Sequence, residues 1–380
     1  MKVVLAPDSF KGALSAKDIC ASLEQGIKHS IPHAIVQSIP MADGGEGTVE
    51  NMVEATNGRI IVKEVMGPLK NKVNASYGIV DNKTVIIEVA EASGLTLISE
   101  EQRNPMITTS YGTGELIKDA LDKGFRRFII GLGGSATNDA GVGILKALGM
   151  KFYSEKMLPL ADGGGSLGDL KYIDDTNLDP RIKDATFMVA CDVDNPFCGD
   201  NGASVIFGPQ KGATCGMVEK LDQNLNHFAE VILNHTGEEV RSIKGGGAAG
   251  GIGAIFVTFF NATLQSGIEL VMKEVKFEEK IANASLIITG EGKLDRQTLS
   301  GKVIMGVTTA ARKKNVPVIA LCGQLDLSRE EINKLGLLAA FSIIQRPCDL
   351  KEAFQHTSPW LTEMMANVMN IFPYSARKEE

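Results

Sequence analysis

The chain has few of the residues that cross-link small folds or bind structural zinc. It carries six cysteines and five histidines in 380 residues, and no two cysteines have CxxC spacing. A disulfide framework and a structural zinc site are therefore not expected, and we expect the thiols to be reduced.

The chain also lacks an excess of positive charge. Lys+Arg is 39 and Asp+Glu is 46, so the formal net charge is −7. Nucleic-acid-binding proteins usually carry a basic surface, so no nucleic-acid partner is expected. Glycine, by contrast, is abundant: 41 of 380 residues is about 11%, against an average near ~7%. This excess suggests close backbone approaches and anion-binding loops.

Long apolar segments are scarce. The uncharged run over residues 245–268 has six glycines in its first nine residues, which predicts a glycine-rich loop followed by a buried helix rather than a membrane span. The first residues, up to Asp8, predict a strand and lack the apolar stretch of a signal peptide. We therefore expect a cytoplasmic protein without a membrane partner.

The order of predicted elements indicates an α/β fold with two domains. Strand and helix alternate up to about residue 60, a β-rich segment follows, and the alternation returns near residue 284. We predict a Rossmann-like discontinuous domain from residues 1–60 and 284–380. A large second α/β domain, residues 61–283, is predicted as an insertion, with a cleft between the two domains.

Polar clusters rich in glycine follow several predicted strands, where α/β sheets bind ligands. Asp8–Gly12 includes Ser9 and Lys11, and this lysine could hold an anionic group. Asp43–Thr48 has three glycines and two carboxylates that could bind Mg²⁺ or accept a proton.

The segment Gly131–Gly141 follows a predicted strand and is predicted to open a helix, whose amides could bind phosphate. Its polar and glycine residues suit phosphate and metal handling: Gly133, Gly134, Ser135, Thr137 and Asn138. The same segment fits GxGxxG/A through Ala136, so a dinucleotide site is an alternative, and tight helix–sheet packing is another.

Three later clusters complete the set. Asp192 follows the predicted strand Thr186–Ala190 and could position a hydroxyl or a metal, while Lys211 further on could meet phosphate. The glycine run over residues 245–253 predicts a close approach to the backbone, which could be that of a ligand, a hinge between the domains or another helix. Thr289–Thr298, predicted to follow a strand over Leu286–Ile288, contains Glu291, Lys293, Asp295 and Arg296.

Two motif absences narrow the choice of enzyme class. The chain has no GxxxxGK[ST] segment and no HRD or DFG set, so neither a P-loop enzyme nor a protein kinase is expected. The histidines lie outside all of these clusters. A site of Asp, Lys, Gly and Ser/Thr fits phosphoryl transfer, where positioning and charge neutralisation dominate.

Taken in order, these clusters resemble the bacterial glycerate kinase type 1 family. The segments that carry the resemblance are Asp8–Gly12, Asp43–Thr48, Gly131–Asp139, Asn195–Gly199, Phe207–Ala213 and Thr289–Asp295. The resemblance implies an enzyme that phosphorylates D-glycerate with MgATP, usually to 2-phosphoglycerate, on a Rossmann-like domain with an inserted second α/β domain. Phe197, Lys293 and Gln265-Ser266 depart from the residues expected in the family, and none of them is a candidate catalytic carboxylate.

On this hypothesis each cluster has an expected role. Lys11 is the first candidate to bind the glycerate carboxylate, followed by Lys293 and Arg296, and Ser9 and Glu291 complete the substrate contacts. Asp192 and Asp295 are the candidate bases, with Asp43 third; Asp43 and Asp295 are the candidate Mg²⁺ ligands. The ATP phosphates are expected on the amides around Gly133–Thr137.

Two other functions stay open at the level of sequence. The GxGxxA match allows an NAD(P)-dependent oxidoreductase of a small hydroxy acid. A kinase-like fold could also serve a non-catalytic regulator that binds a sugar acid. A homodimer is a further possibility that the sequence does not decide.

Overall fold

A computed structural model describes residues 1–42, 45, 47–296, 298 and 303–376. The strands are β1 (Lys2–Leu5), β2 (Ile35–Ser38), β3 (Arg59–Met66), β4 (Lys72–Val80), β5 (Thr84–Glu88), β6 (Arg127–Gly131), β7 (Lys151–Ser154), β8 (Leu170–Asp174), β9 (Thr186–Ala190), β10 (Thr263–Gln265), β11 (Leu286–Leu294), β12 (Val318–Leu325) and β13 (Ala339–Ser342). The helices are α1 (Ala16–Ser30), α2 (Thr48–Thr56), α3 (Val89–Ser93), α4 (Tyr111–Asp122), α5 (Val142–Ala147), α6 (Ala203–Phe207), α7 (Cys215–Thr236), α8 (Ala248–Phe260), α9 (Gly267–Glu274), α10 (Phe277–Lys280), α11 (Val303–Lys313), α12 (Arg329–Leu335) and α13 (Leu350–Ala376). The prediction of an α/β fold is confirmed.

The chain divides into two compact units. Unit 1 comprises Met1–Asp43, Glu50–Asn57 and Ile268–Glu380, and unit 2 comprises Gly44–Val49 and Gly58–Gly267. The last change of unit lies between Gly267 and Ile268, whereas the boundary predicted from the sequence lay between residues 283 and 284. Helix α9 belongs to unit 1 because it packs closely on α11: a Cβ on Gly306 would lie 2.6 Å from the Ile268 side chain.

Unit 1 is built on a parallel sheet with the order β13-β12-β11-β1-β2. The first helix is capped by Ser15, whose hydroxyl accepts a hydrogen bond from the Asp18 amide at 3.1 Å. Helices α1 and α13 pack together on one face of this sheet, around a core that includes Leu23, Leu321 and Trp360. The two helices therefore cover one of the two faces that a parallel sheet must bury.

Unit 2 is built on a mixed sheet with the order β10-β9-β6-β5-β4-β3. Within the predicted β-rich segment, β3, β4 and β5 form an antiparallel meander. β5, β6, β9 and β10 pair in parallel. A large apolar core contains stacked rings of Phe128 and Phe187 with centroids 4.7 Å apart. Among the described residues, no helix is long and apolar enough to cross a membrane.

One strand boundary differs from the prediction. β11 continues to Leu294, so Glu291 and Lys293 lie within the strand and pair with Cys322 and Gln324 of β12. The glycines that suggested a loop instead allow close strand pairing, since a Cβ on Gly290 would lie 2.2 Å from the Leu321 carbonyl oxygen.

Candidate active site

The sheet of unit 1 changes its direction of winding between β1 and β11. From β1 the chain passes through α1 to β2 on one side, and from β11 it passes through α11 and α12 to β12 and β13 on the other. β1 and β11 are neighbours and run parallel. Ligands of open parallel sheets bind outside the carboxyl ends of the strands at such a switch point.

A cavity of about 500 Å³ lies at these strand ends, entirely within unit 1. Its lining brings together four of the five residues predicted to bind substrate: Ser9, Lys11, Glu291 and Lys293. They come from the segment after β1 and from the end of β11, which are far apart in sequence. The cavity is within the size range of small-molecule sites, roughly 300–1,000 Å³.

The segment after β1 is fixed by its backbone. The Asp8 amide donates to the Gly290 carbonyl at 2.8 Å, and the Ser9 amide donates to the Asp8 carboxylate at 2.7 Å. Gly12 has a φ of +79°, and a Cβ there would lie 3.1 Å from the Phe354 ring. Lys11 is exposed and has no ion-pair partner among the residues described here. Its ammonium is thus available to an anion in the cavity.

The acidic residues of β11 and the following turn are partly engaged with one another. Glu291 is buried and accepts a hydrogen bond from the Thr298 hydroxyl at 2.5 Å. Asp295 pairs with the Lys293 ammonium at 3.0 Å. Glu291 therefore helps to fix the turn that carries Asp295, and the charge of Lys293 is shared with that carboxylate.

Arg296 and the predicted carboxylate Asp192 are not part of the cavity lining. Arg296 pairs with Glu331 at 3.1 Å in a neighbouring depression that also includes Asp295. Asp192 lies in unit 2, is exposed, and accepts a hydrogen bond from the Gly267 amide at 3.0 Å. Asp43, predicted as a catalytic and metal residue, lies outside the described residues.

Contrary to the prediction, the loop after β6 does not lead directly into a helix. α5 begins only at Val142, and the Asp139 carboxylate already accepts hydrogen bonds from the Gly141 and Gly143 amides at 3.1 and 3.3 Å. The amides at the start of this short helix are thus satisfied from within the chain. The dinucleotide alternative also needs a glycine motif that opens a helix, so this geometry does not favour it.

Within that loop, backbone and side chains differ in exposure. Gly133 and Gly134 are exposed, whereas Ser135, Thr137 and Asn138 are buried. The loop is tied to the end of α3, where the Leu95 amide donates to the Gly134 carbonyl and the Ala136 amide to the Ser93 carbonyl. A ligand could therefore reach the two glycines, while the polar side chains face the interior.

Lys211 is a buried cation that holds this loop. Its ammonium donates to the Ser135 hydroxyl at 3.0 Å and to the Thr137 carbonyl at 2.7 Å, and the residue is 2% exposed. Burial lowers the pKa of Lys211 to about 7, an effect that the carboxylate of Asp139 partly opposes. The sequence marked Lys211 only as a candidate phosphate contact, because nothing in it separates a buried lysine from an exposed one.

The glycine run over residues 245–253 packs against this loop. The sequence left open whether a ligand, a hinge or another helix approaches it. Ala249, Gly250 and Gly251 have positive φ inside α8, and the Ala140 amide donates to the Gly250 carbonyl at 3.0 Å. A Cβ on Gly250 would lie 2.1 Å from the Thr137 carbonyl oxygen. Close contact between two backbones accounts for the glycine at this position.

The described residues contain no group of three or more His, Cys, Asp or Glu side chains that could enclose a metal ion. Mg²⁺ in phosphoryl-transfer sites is usually held by one or two carboxylates together with substrate phosphates. Asp295, partly exposed beside the cavity strand, fits that smaller requirement.

Comparison with known proteins identifies close relatives over nearly the whole chain. A model described as the glycerate kinase family matches residues 3–373. Glycerate 2-kinase of Escherichia coli K12 is 49% identical over 93% of this chain and 93% of its own. Glycerate kinase of Halalkalibacterium halodurans is 46% identical over 96% of this chain and 97% of its own. The crystal structure of a Salmonella typhimurium LT2 protein assigned as glycerate kinase 2 superposes with a TM-score of 0.91 at 45% identity, covering 99% of both chains.

Proposed function

This chain belongs to the glycerate kinase family, and we propose that it transfers the γ-phosphoryl group of ATP to a hydroxyl of D-glycerate. The product that we propose is 2-phosphoglycerate, as the name of the E. coli relative suggests. The family match and the relatives support this interpretation and give no support to an oxidoreductase or to a non-catalytic regulator.

The single structural observation that carries the proposal is the cavity at the switch point of unit 1. Lys11, Ser9 and Lys293 all line this cavity. Among the described residues, the exposed ammonium of Lys11 has no ion-pair partner. A small hydroxy acid needs one cation for its carboxylate and neutral donors for its hydroxyls. We assign Lys11 to the carboxylate and Ser9 to a hydroxyl. Lys293 and Arg296 are second candidates, since each already pairs with a carboxylate.

The attacking hydroxyl needs a base to accept its proton. We assign this role to Asp295, because it lies beside Lys293, which lines the cavity. Asp192 stays an alternative base, although one of its oxygens is engaged by the Gly267 amide. Glu291 is assigned to shaping the site, since its carboxylate accepts the Thr298 hydroxyl.

We place the ATP phosphates on the exposed backbone of Gly133 and Gly134. Lys211 then supports this loop from within, because it holds the Ser135 hydroxyl and the Thr137 carbonyl. The Asn138 amide donates to the Ser204 hydroxyl at 3.0 Å. Mg²⁺, when bound with the nucleotide, supplies charge neutralisation at the phosphates. With Asp295 assigned as the base, Asp43, which lies outside the described residues, is the candidate that would hold the metal, and Asp295 is the other candidate.

The test is ADP release from MgATP with D-glycerate, with L-glycerate and EDTA as controls. The proposal expects turnover that depends on the metal and on the D-isomer, and a product that enolase converts directly. Turnover without enolase conversion would move the phosphoryl group to the 3-hydroxyl. NADH should give no thermal shift under conditions where MgATP does. A cytoplasmic location, the absence of nucleic-acid and membrane partners, and a homodimer stay predictions.

A further inference from the structure

The cavity of unit 1 is larger than its proposed acid substrate requires. Its volume is about 500 Å³, whereas glycerate is a three-carbon acid that would occupy only a small part of it. Glycerate also carries an oxygen on every carbon, so it has no apolar face to bury. A wall without hydrogen-bonding groups would leave those oxygens unpaired, at a cost in binding free energy.

Part of the cavity wall is apolar, and it extends from the Phe354 ring, which lies beside Gly12 of the segment after β1, to the end of β13. Ile343 and Ile344 line it directly after β13, which is three strand positions from β1. At about 4.8 Å per strand, the two strand ends are separated by roughly 14 Å. The cavity therefore extends along the sheet edge from a cationic segment to an apolar one.

The first turns of α13 complete this apolar wall. Leu350, Ala353 and Phe354 line the cavity, and Leu350 and Phe354 are 68% and 38% exposed. Further along the same helix, Trp360 and Leu361 are buried in the core of unit 1. The core thus uses the later turns of α13, while the apolar side chains of the first turns face the cavity.

We propose that the adenine ring of ATP binds against this apolar wall. The inference rests on the proposed function, which makes ATP a substrate. An adenine ring has two apolar faces for side chains such as Ile344 and Leu350 and a polar edge for hydrogen bonds. Gln324 of the lining can donate to and accept from that edge. The Thr357 hydroxyl donates to the Ala353 carbonyl at 2.8 Å and can only accept from the edge. Nucleotides also commonly occupy the switch point of parallel sheets.

The test adds a bulky side chain to the apolar wall and measures the binding of the nucleoside and the KM for the acid separately. Ala353→Phe places a ring in the cavity, and Asn367→Phe adds the same ring at an exposed position of the same helix as a matched control. Adenosine binding is measured by calorimetry without turnover, and KM is measured for ATP and for D-glycerate. Leu350→Ser is a second variant, chosen because Leu350 is mostly exposed and its loss should leave the fold intact.

We expect adenosine to bind the unaltered protein and the Asn367→Phe variant alike. Ala353→Phe should weaken adenosine binding and raise the KM for ATP by about 10-fold or more, the scale of a misfit in an apolar pocket. Leu350→Ser should have the same two effects, but smaller ones. The KM for D-glycerate should stay nearly unchanged in the Ala353→Phe and Leu350→Ser variants. An unchanged KM for ATP in both variants, or a rise confined to D-glycerate, overturns the inference. Adenosine binding without any kinase turnover would overturn the proposed function and leave the adenine site standing.

Discussion

Lys211 allows the burial of charge in unit 2 to be tested quantitatively. In the folded chain burial lowers its pKa to about 7, against 10.5 for the free group. Below pH 7 both states carry the proton, and the folded state bears the full cost of burying the ammonium. Between pH 7 and 10.5 the unfolded chain binds more protons, so the free energy of unfolding rises with pH. At about 1.4 kcal/mol per pH unit, a change from pH 7 to 9.5 adds up to ~3 kcal/mol.

Lys211→Met isolates this contribution because it removes the charge and keeps a similar side-chain length. Unfolding in urea is followed by pulse proteolysis, with peptides of β6 and α5 identified by mass spectrometry. Fluorescence would not serve, since Trp360, the single tryptophan, belongs to unit 1. The stability of the unaltered protein relative to the variant should grow by up to ~3 kcal/mol between pH 7 and 9.5. A difference that stays constant or shrinks over this range refutes the reasoning.

Three further changes test other parts of the site. Gly250→Ala should destabilise unit 2 by about 2 kcal/mol more than Gly237→Ala. Both glycines have positive φ, but only a Cβ at Gly250 would clash with a backbone oxygen. Equal urea midpoints of the two variants would contradict this. Asp295→Asn should lower kcat by ~100-fold or more with an unchanged Tm, and wild-type turnover would remove Asp295 as the base. Lys11→Met should raise the KM for D-glycerate by about 10-fold or more, the scale of one charged hydrogen bond, and leave Tm unchanged because Lys11 is exposed. An unchanged KM would exclude Lys11 from binding the carboxylate.

The sequence predicted the strand-end clusters of unit 1 because the parallel-sheet pattern places them at one edge. Ser9 and Lys11 follow β1, and Glu291 and Lys293 lie on its neighbour β11, so their meeting in one cavity follows from topology. The predicted end of β11 at Ile288 was wrong because glycine and charged residues, which are rare inside strands, follow that position. Here they are tolerated because the pairing with β12 continues as far as Leu294.

Other features of the site depend on tertiary contacts that no local pattern reveals. The apolar wall comes from the first turns of α13, whose sequence resembles any amphipathic helix. The burial of Lys211 depends on a loop far away in sequence, and its composition gives no sign of it. The Asp139 carboxylate similarly accepts hydrogen bonds from amides near the start of the helix, where the sequence pattern predicted a phosphate site.

The central claim is that this chain transfers a phosphoryl group from ATP to D-glycerate. ³¹P NMR of the protein with MgATP and D-glycerate follows donor and product in one sample. The account predicts that the γ-phosphate signal falls while a phosphomonoester signal, coupled to the proton on carbon 2, rises in equal amount. A folded protein that leaves the γ-phosphate intact, or that releases only inorganic phosphate, would contradict it.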